Sequence, residues 1–267
     1  MTSQRTIFDL GGLSHCCYPI TIMNALKKIA DRLLPPRFEH PPAPMEAENS
    51  FHSWIFSTDD DVQPSPRLLK LALDATQAAH ERVSLDDLAI RRNIPDYYNY
   101  WPGEHYRLLG GLMLTLQPRT VIEIGTFTGL SAITMLKYLP AGGRLATFDL
   151  QPWDRIEDTV LTKQDFTSGR LTQHLDNLGE ADVFARHGAL LESADFIFID
   201  GPKDNVFEYR FMELLRSIKF AKPPILMFDD TRLWSMLRFW RQLPYPKMDF
   251  TSFGHWSGTG LVEFLEH

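Results

Sequence analysis

The sequence predicts an α/β fold: a doubly wound, mostly parallel sheet of seven strands behind an N-terminal helical extension. Three observations carry this expectation. From about residue 104 onward, apolar runs of strand length alternate with segments of helix length, as when helices cover both faces of a sheet. Those runs are continuously apolar, the pattern of strands buried on both sides. One of them, TVIEI at 120–124, ends in a glycine-bracketed turn, GTFTGLS at 125–131, that opens a helix.

Along the chain, a helix is expected over 19–34. The segment 35–45 holds five prolines and must be irregular, since proline fixes φ and lacks an N–H. A helix follows over 65–82, with Pro66 in its first turn. An aromatic stretch, DYYNYW at 96–101, either walls a site or anchors the N-terminal segment. Helix 105–116 leads into strand 120–124, and helix 129–139 into strand 144–149. A short helix near 156–165 precedes strand 170–176. Helix 180–191, strand 195–200, helix 205–219, strand 224–229 and helix 231–242 complete the alternation. Two last strands, 247–253 and 258–265, flank a short turn at 254–257 and predict an antiparallel hairpin at one sheet edge. The division expected is an N-terminal part, 1–104, serving as lid, substrate or oligomer contact, and a catalytic domain, 105–267.

The 267 residues are 44% hydrophobic and 23% charged, ample for a globular core. The net charge is −7 and the basic residues are scattered, which argues against nucleic acid as a substrate. Cys16 and Cys17 are the only cysteines, and a bridge between neighbours is strained, so a disulfide framework is not expected. No apolar run approaches the ~18 residues of a membrane span, and no basic-then-apolar leader is visible. A cytoplasmic protein acting on a small molecule is the expectation, with the N-terminal helices a place where two copies could pair as a homodimer.

The glycine turn narrows the cofactor. A dinucleotide fingerprint needs a glycine where Phe127 stands, because the pyrophosphate must approach the turn. NAD and FAD are therefore disfavoured. Glu123 lies two residues before Gly125, and Asp149 ends the next strand, where a carboxylate suits the two hydroxyls of a ribose. The run EIGTFTGLS with the strand-end acid resembles the S-adenosylmethionine-dependent methyltransferases, most closely the cation-dependent catechol and caffeoyl-coenzyme A type O-methyltransferases, which tolerate a non-glycine at the middle of the loop. The resemblance implies S-adenosylmethionine as cofactor, with contacts from Glu123, Gly125, Thr126, Phe127, Gly129, Ser131, Asp149, Asp176 and Asp200. Asn177, beside Asp176, could equally cap the following helix, and Trp153 could pack on the adenine or lie in the core.

Asp200 and the pair Asp229–Asp230 also end strands. Three carboxylates in one crevice repel each other unless a charge neutralises them. Oxygen ligands suit Mg²⁺, with Mn²⁺ or Ca²⁺ as substitutes. DGPKDNVFEY at 200–209 resembles the family's aspartate-x-x-lysine motif, with Tyr209 in the place of its tyrosine. FDDTRLW at 228–234 resembles the second metal motif, except that Asp230 replaces the usual asparagine and adds a charge. Asp200, Asp229 and Asp230 are then the expected metal ligands. Lys203 is the expected catalytic residue, either as a general base, which must be neutral, or as a cation stabilising an oxyanion. Taken singly, each has an ordinary reading as well: a helix cap, a turn, a solvated lysine. His105 or Tyr106 could touch cofactor or substrate, His187 reads as a surface or packing residue, and His255 and Trp256 fall in a loop expected to face the substrate. The expected activity is methylation of a hydroxyl on a small diol-like metabolite, phenolic or sugar-like. The competing readings are a metal-independent O- or N-methyltransferase and a non-catalytic cofactor-binding protein.

Overall fold

The computed structural model describes residues 62–89, 91 and 105–265. The described residues all fall in one compact unit, Ser53–His267. The expected helix at 19–34, the proline-rich segment, the two cysteines and the aromatic stretch at 96–101 lie outside the described residues.

Helix α1 (Pro66–Arg82) begins where its sequence says it should. Ser65 is the N-cap and accepts a hydrogen bond from the Leu68 N–H at 3.0 Å, and Pro66 sits in the first turn. Leu68, Leu71, Ala72, Ala75 and Ala79 make its buried stripe. After the short α2 (Asp86–Ala89), α3 (His105–Leu116) packs along α1. The approach is close: a Cβ on Gly111 would stand 2.2 Å from the Ala75 carbonyl oxygen, so only glycine fits.

Seven strands follow: β1 (Thr120–Ile124), β2 (Arg144–Phe148), β3 (Leu171–His174), β4 (Phe196–Ile199), β5 (Ile225–Asp229), β6 (Lys247–Asp249) and β7 (Thr259–Glu263). Their order in the sheet is β3-β2-β1-β4-β5-β7-β6, with β7 antiparallel to both neighbours and the rest parallel. Between them run α4 (Leu130–Tyr138), α5 (Lys163–Phe166), α6 (Ala181–Arg186), α7 (Gly188–Glu192), α8 (Phe207–Leu215) and α9 (Trp234–Gln242).

Successive strand residues feed two cores, as the pleat requires. Val121, Phe196, Phe198 and Met227 pack with α1, α3 and α4; Ile122, Ile197, Ile199 and Phe228 pack with α6 to α9. Two expectations are corrected. The helix expected over 180–191 breaks at His187, whose φ/ψ of −95°/7° ends α6 and starts α7. The strand expected over 247–253 stops at Asp249, and a 3-10 turn (Thr251–Phe253) takes up the remainder. No helix among the described residues is long and apolar enough to cross a membrane.

Candidate active site

In this sheet β1 is followed by strands to one side and β4 by strands to the other, so a crevice opens between the carboxyl ends of β1 and β4. A cleft of about 640 Å³ lies there, lined by Gly125, Phe127, Phe148, Asp149, Asp176, Leu178, Asp200, Lys203 and Phe207.

The turn after β1 is held tightly. The Gly125 N–H donates to the Phe148 carbonyl at 2.8 Å, and at its φ of +99° a Cβ would stand 2.2 Å from the Asp200 carbonyl oxygen. Phe127 also has positive φ and is 67% exposed at the cleft. Its N–H donates to Asp149 Oδ2 at 2.9 Å, while the Gln151 N–H donates to Oδ1 at 3.0 Å. Both Asp149 oxygens are thus oriented, and each keeps a lone pair for a further donor.

Beneath the turn lie the predicted contacts Thr126, Gly129, Ser131 and Glu123. Thr126 is buried, its hydroxyl 2.7 Å from that of Thr147 and accepting from Gln173. Gly129 caps α4, and Ser131 is buried in that helix's first turn. Glu123 is wholly buried; burial pushes its carboxyl up to about 8, and the hydroxyls of Ser131 and Thr147 oppose this only in part. At the far end, Asp176 borders the cleft but is tied to His187 Nε2 at 2.9 Å and Arg186 at 3.3 Å. Asn177 accepts from the Gly179 N–H, its turn-forming role. Trp153 stacks on Phe166 against the core. Tyr209 faces α9, donating its hydroxyl to Gln242 at 2.6 Å.

At the other end the carboxylates gather. One oxygen from each of Asp200, Asp229 and Asp230 lies within 4.8 Å of the others. The capping alternative is not realised, since α9 is preceded by Leu233 with no side-chain cap. For a divalent cation the donor set fits: all oxygen, with Asp229 Oδ1 buried and accepting no hydrogen bond.

Lys203 pairs with Asp200 and, at 3.0 Å, with Asp230. Burial opposes its charge, but Asp200 foremost, then Asp230 and Asp229, outweigh that and hold it above the ordinary lysine range. A general base must be neutral; the geometry here is that of an ammonium, which suits the cationic role instead. Burial and the charge of Asp229 push Asp200 up to about 7, against the pull of Lys203.

Sequence reading missed Glu208. Its buried carboxylate accepts the N–H groups of Lys203 at 3.1 Å and Asn205 at 2.9 Å, pinning the loop before α8. Lys203, Asn205, Phe127 and Asp230 all have φ between +42° and +62°, so backbone strain collects at this edge.

Two histidines complete the group. His105, at the start of α3, is buried, and burial pushes it down to about 4. His255 Nδ1 stands 3.5 Å from both Asp229 and Asp230. Burial opposes its charge, but these two carboxylates raise it to about 9. The Ser257 hydroxyl bridges it to Asp230, whose carboxyl lies below the ordinary range despite burial because His255, Lys203 and Ser257 favour its charge.

Comparison with known proteins agrees with this arrangement. The O-methyltransferase family profile matches residues 102–237. Tricin synthase 1 of Oryza sativa subsp. japonica is 29% identical over 197 residues, 69% of this chain and 73% of that protein. Caffeoyl-CoA O-methyltransferase of Pinus taeda is 31% identical over 136 residues, 48% of this chain and 49% of that protein, so this match spans about half the relative's length. Among solved structures, a Corynebacterium glutamicum protein shares the fold at TM-score 0.51 and 16% identity, over 72% of this chain and 96% of the other. The O-methyltransferase TomG of Streptomyces achromogenes, solved with S-adenosylmethionine, gives 0.46 at 21% identity, over 72% and 95%. With its family profile covering half of its length and its cleft at the β1/β4 crevice, the chain belongs to the O-methyltransferase family of S-adenosylmethionine-dependent enzymes.

Proposed function

We propose that the protein methylates a hydroxyl of a small diol-like metabolite, phenolic or sugar-like, with a divalent cation held where Asp200, Asp229 and Asp230 converge. The observation carrying this reading is the adjacency of two differently built ends. Asp149 offers oriented carboxylate oxygens to a ribose, and three carboxylates meet at the other side of the same strand-end crevice. The relatives' names, for caffeoyl-CoA and tricin, favour a phenolic acceptor.

The sulfonium methyl is already activated, so positioning does most of the work. Gly125 lets the cofactor approach the β1 turn, and Asp149 fixes its ribose. When bound, the cation supplies a Lewis acid that makes a chelated hydroxyl easier to deprotonate. Lys203, reaching Asp200 and Asp230 from the cleft wall, is the protein's own cation for the oxyanion that attacks the methyl.

The test is Mn²⁺ binding followed by electron paramagnetic resonance on protein loaded with S-adenosylhomocysteine, in wild type and Asp229→Ala. Tight Mn²⁺ that the variant loses is expected, together with methylation of catechol-like acceptors that stops on chelation. Lys203→Met should lower turnover about 100-fold or more with cofactor affinity nearly intact. One observation favours a second reading. Lys203 already neutralises Asp200 and Asp230 and His255 stands against Asp229, as a metal-independent methyltransferase would arrange them. Turnover that survives chelation, with no Mn²⁺ bound, would establish it.

A further inference from the structure

Asp229 is the carboxylate that Lys203 does not reach, and it faces histidines instead. Lys203 forms ion pairs with Asp200 and Asp230. Asp229, 4% exposed, has one oxygen that accepts no hydrogen bond. His255 Nδ1 stands 3.5 Å from that oxygen, too long for a good bond. His105, also 4% exposed, has a buried Nδ1 without a hydrogen-bond partner among the described residues. The His105 and His255 rings meet edge-on at 4.9 Å between centroids. One ligand atom from each of His105, Asp229 and His255 lies within 4.8 Å of the other two. Two orphaned polar atoms, both deeply buried and belonging to one such cluster, are costly unless something binds there.

We propose that His105, Asp229 and His255 form a mixed nitrogen–oxygen site for a divalent transition ion of the Zn²⁺ or Co²⁺ class. This rests on the reading that a cation works at this crevice, and moves it from Asp200 and Asp230 to the histidine side of Asp229. Two imidazoles and one carboxylate favour borderline ions over Mg²⁺, whose preference is for oxygen alone. The set leaves further coordination positions for solvent or the acceptor's oxygens. It also leaves Lys203 where the structure has it, on Asp200 and Asp230.

The experiment is titration of the full-length, metal-stripped protein with Zn²⁺ and Mg²⁺ by calorimetry, and with Co²⁺ by its visible ligand-field bands. Wild type, His255→Ala, His105→Phe, Asp200→Asn and His187→Ala are compared. Zn²⁺ should bind about 100-fold or more tightly than Mg²⁺. The His255 and His105 variants should each weaken Zn²⁺ and Co²⁺ about tenfold or more, while Asp200→Asn should not. His187→Ala dismantles the other histidine-containing group, His174–Asp176–His187, and should leave the signal in place. Circular dichroism and a cooperative melt of each variant report that it is folded. Pulsed resonance on Mn²⁺-loaded wild type needs no variant and should show directly bound nitrogen. Loss of metal in Asp200→Asn alone, without nitrogen coupling, overturns the proposal and keeps the all-oxygen reading. A signal that follows His187 overturns it too. Folded wild type that binds no divalent ion overturns both.

Discussion

Glu123 sits in an environment far from that of its residue type. It is the fourth of five residues in a wholly buried strand, and burial pushes its carboxyl from 4.5 up to about 8. The folded state therefore keeps a proton that the unfolded chain gives up. The sign follows: the stability this group confers is complete below about pH 4.5 and is lost as pH rises through about 8. Glu123→Gln should thus melt close to wild type at pH 5 and about 3 °C or more above it at pH 8.5, read by calorimetry without cofactor. Equal melting points at both values would mean that the carboxylate is already compensated. Much at this scale was legible. Asp149, Asp200 and Asp229 each stand where an apolar run turns polar, and that is where a parallel strand delivers its side chain to the cleft. The pairing of His105 with His255 was not legible, because 150 positions separate them and only the strand order brings them to one carboxylate. Glu208 was hidden for the opposite reason: a glutamate in a helix's first turn reads as a solvated end, and its burial depends on how the preceding loop folds back.

Among the elements, α9 and β6 depend on a single side chain. Lys247 is buried, and its ammonium donates to the carbonyls of Trp240 at 2.8 Å, Arg241 at 2.6 Å and Leu243 at 3.1 Å, closing the last turn of α9. Lys247→Met keeps the length of the stem over Trp240 but removes all three donors. It should cost about 2 kcal/mol, measured as a lowered urea midpoint at unchanged slope. Most elements were readable because their signals are local, such as the Ser65–Pro66 start of α1. Where the reading slipped, the cause was tertiary. His187 leaves helical geometry to meet Asp176 and Phe148, a contact no periodicity announces. The chain after Asp249 turns because the Asp249 carboxylate accepts from the Thr251 N–H and hydroxyl, an Asx-type turn that ends the strand.

As a whole, the sheet, α1 and the cleft fall within Ser53–His267. The chain truncated to 53–267 should melt in one cooperative transition and bind S-adenosylhomocysteine; a broad, non-cooperative melt would show that the unit needs more chain. Within the unit α1 is fixed at both of its surfaces. It lies on α3, and Ser65 and Arg67 at its start bond to the buried Glu263 of β7, Arg67 at 2.7 Å. The reversal of β7 has a consequence for how such an enzyme can change. Thr259 of β7 stands opposite Asp229 of β5, so the connection that enters β7 arrives at the reactive edge, where in an all-parallel sheet it would arrive at the blunt one. His255 and Ser257 ride on that connection, whereas the glycine turn and Asp149 come from the first two strands. Insertions or deletions between Asp249 and Thr259 can therefore reshape one wall of the crevice while the glycine turn and Asp149 stay untouched; on the function proposed above, a lineage can exchange acceptors without rebuilding its methyl donor site.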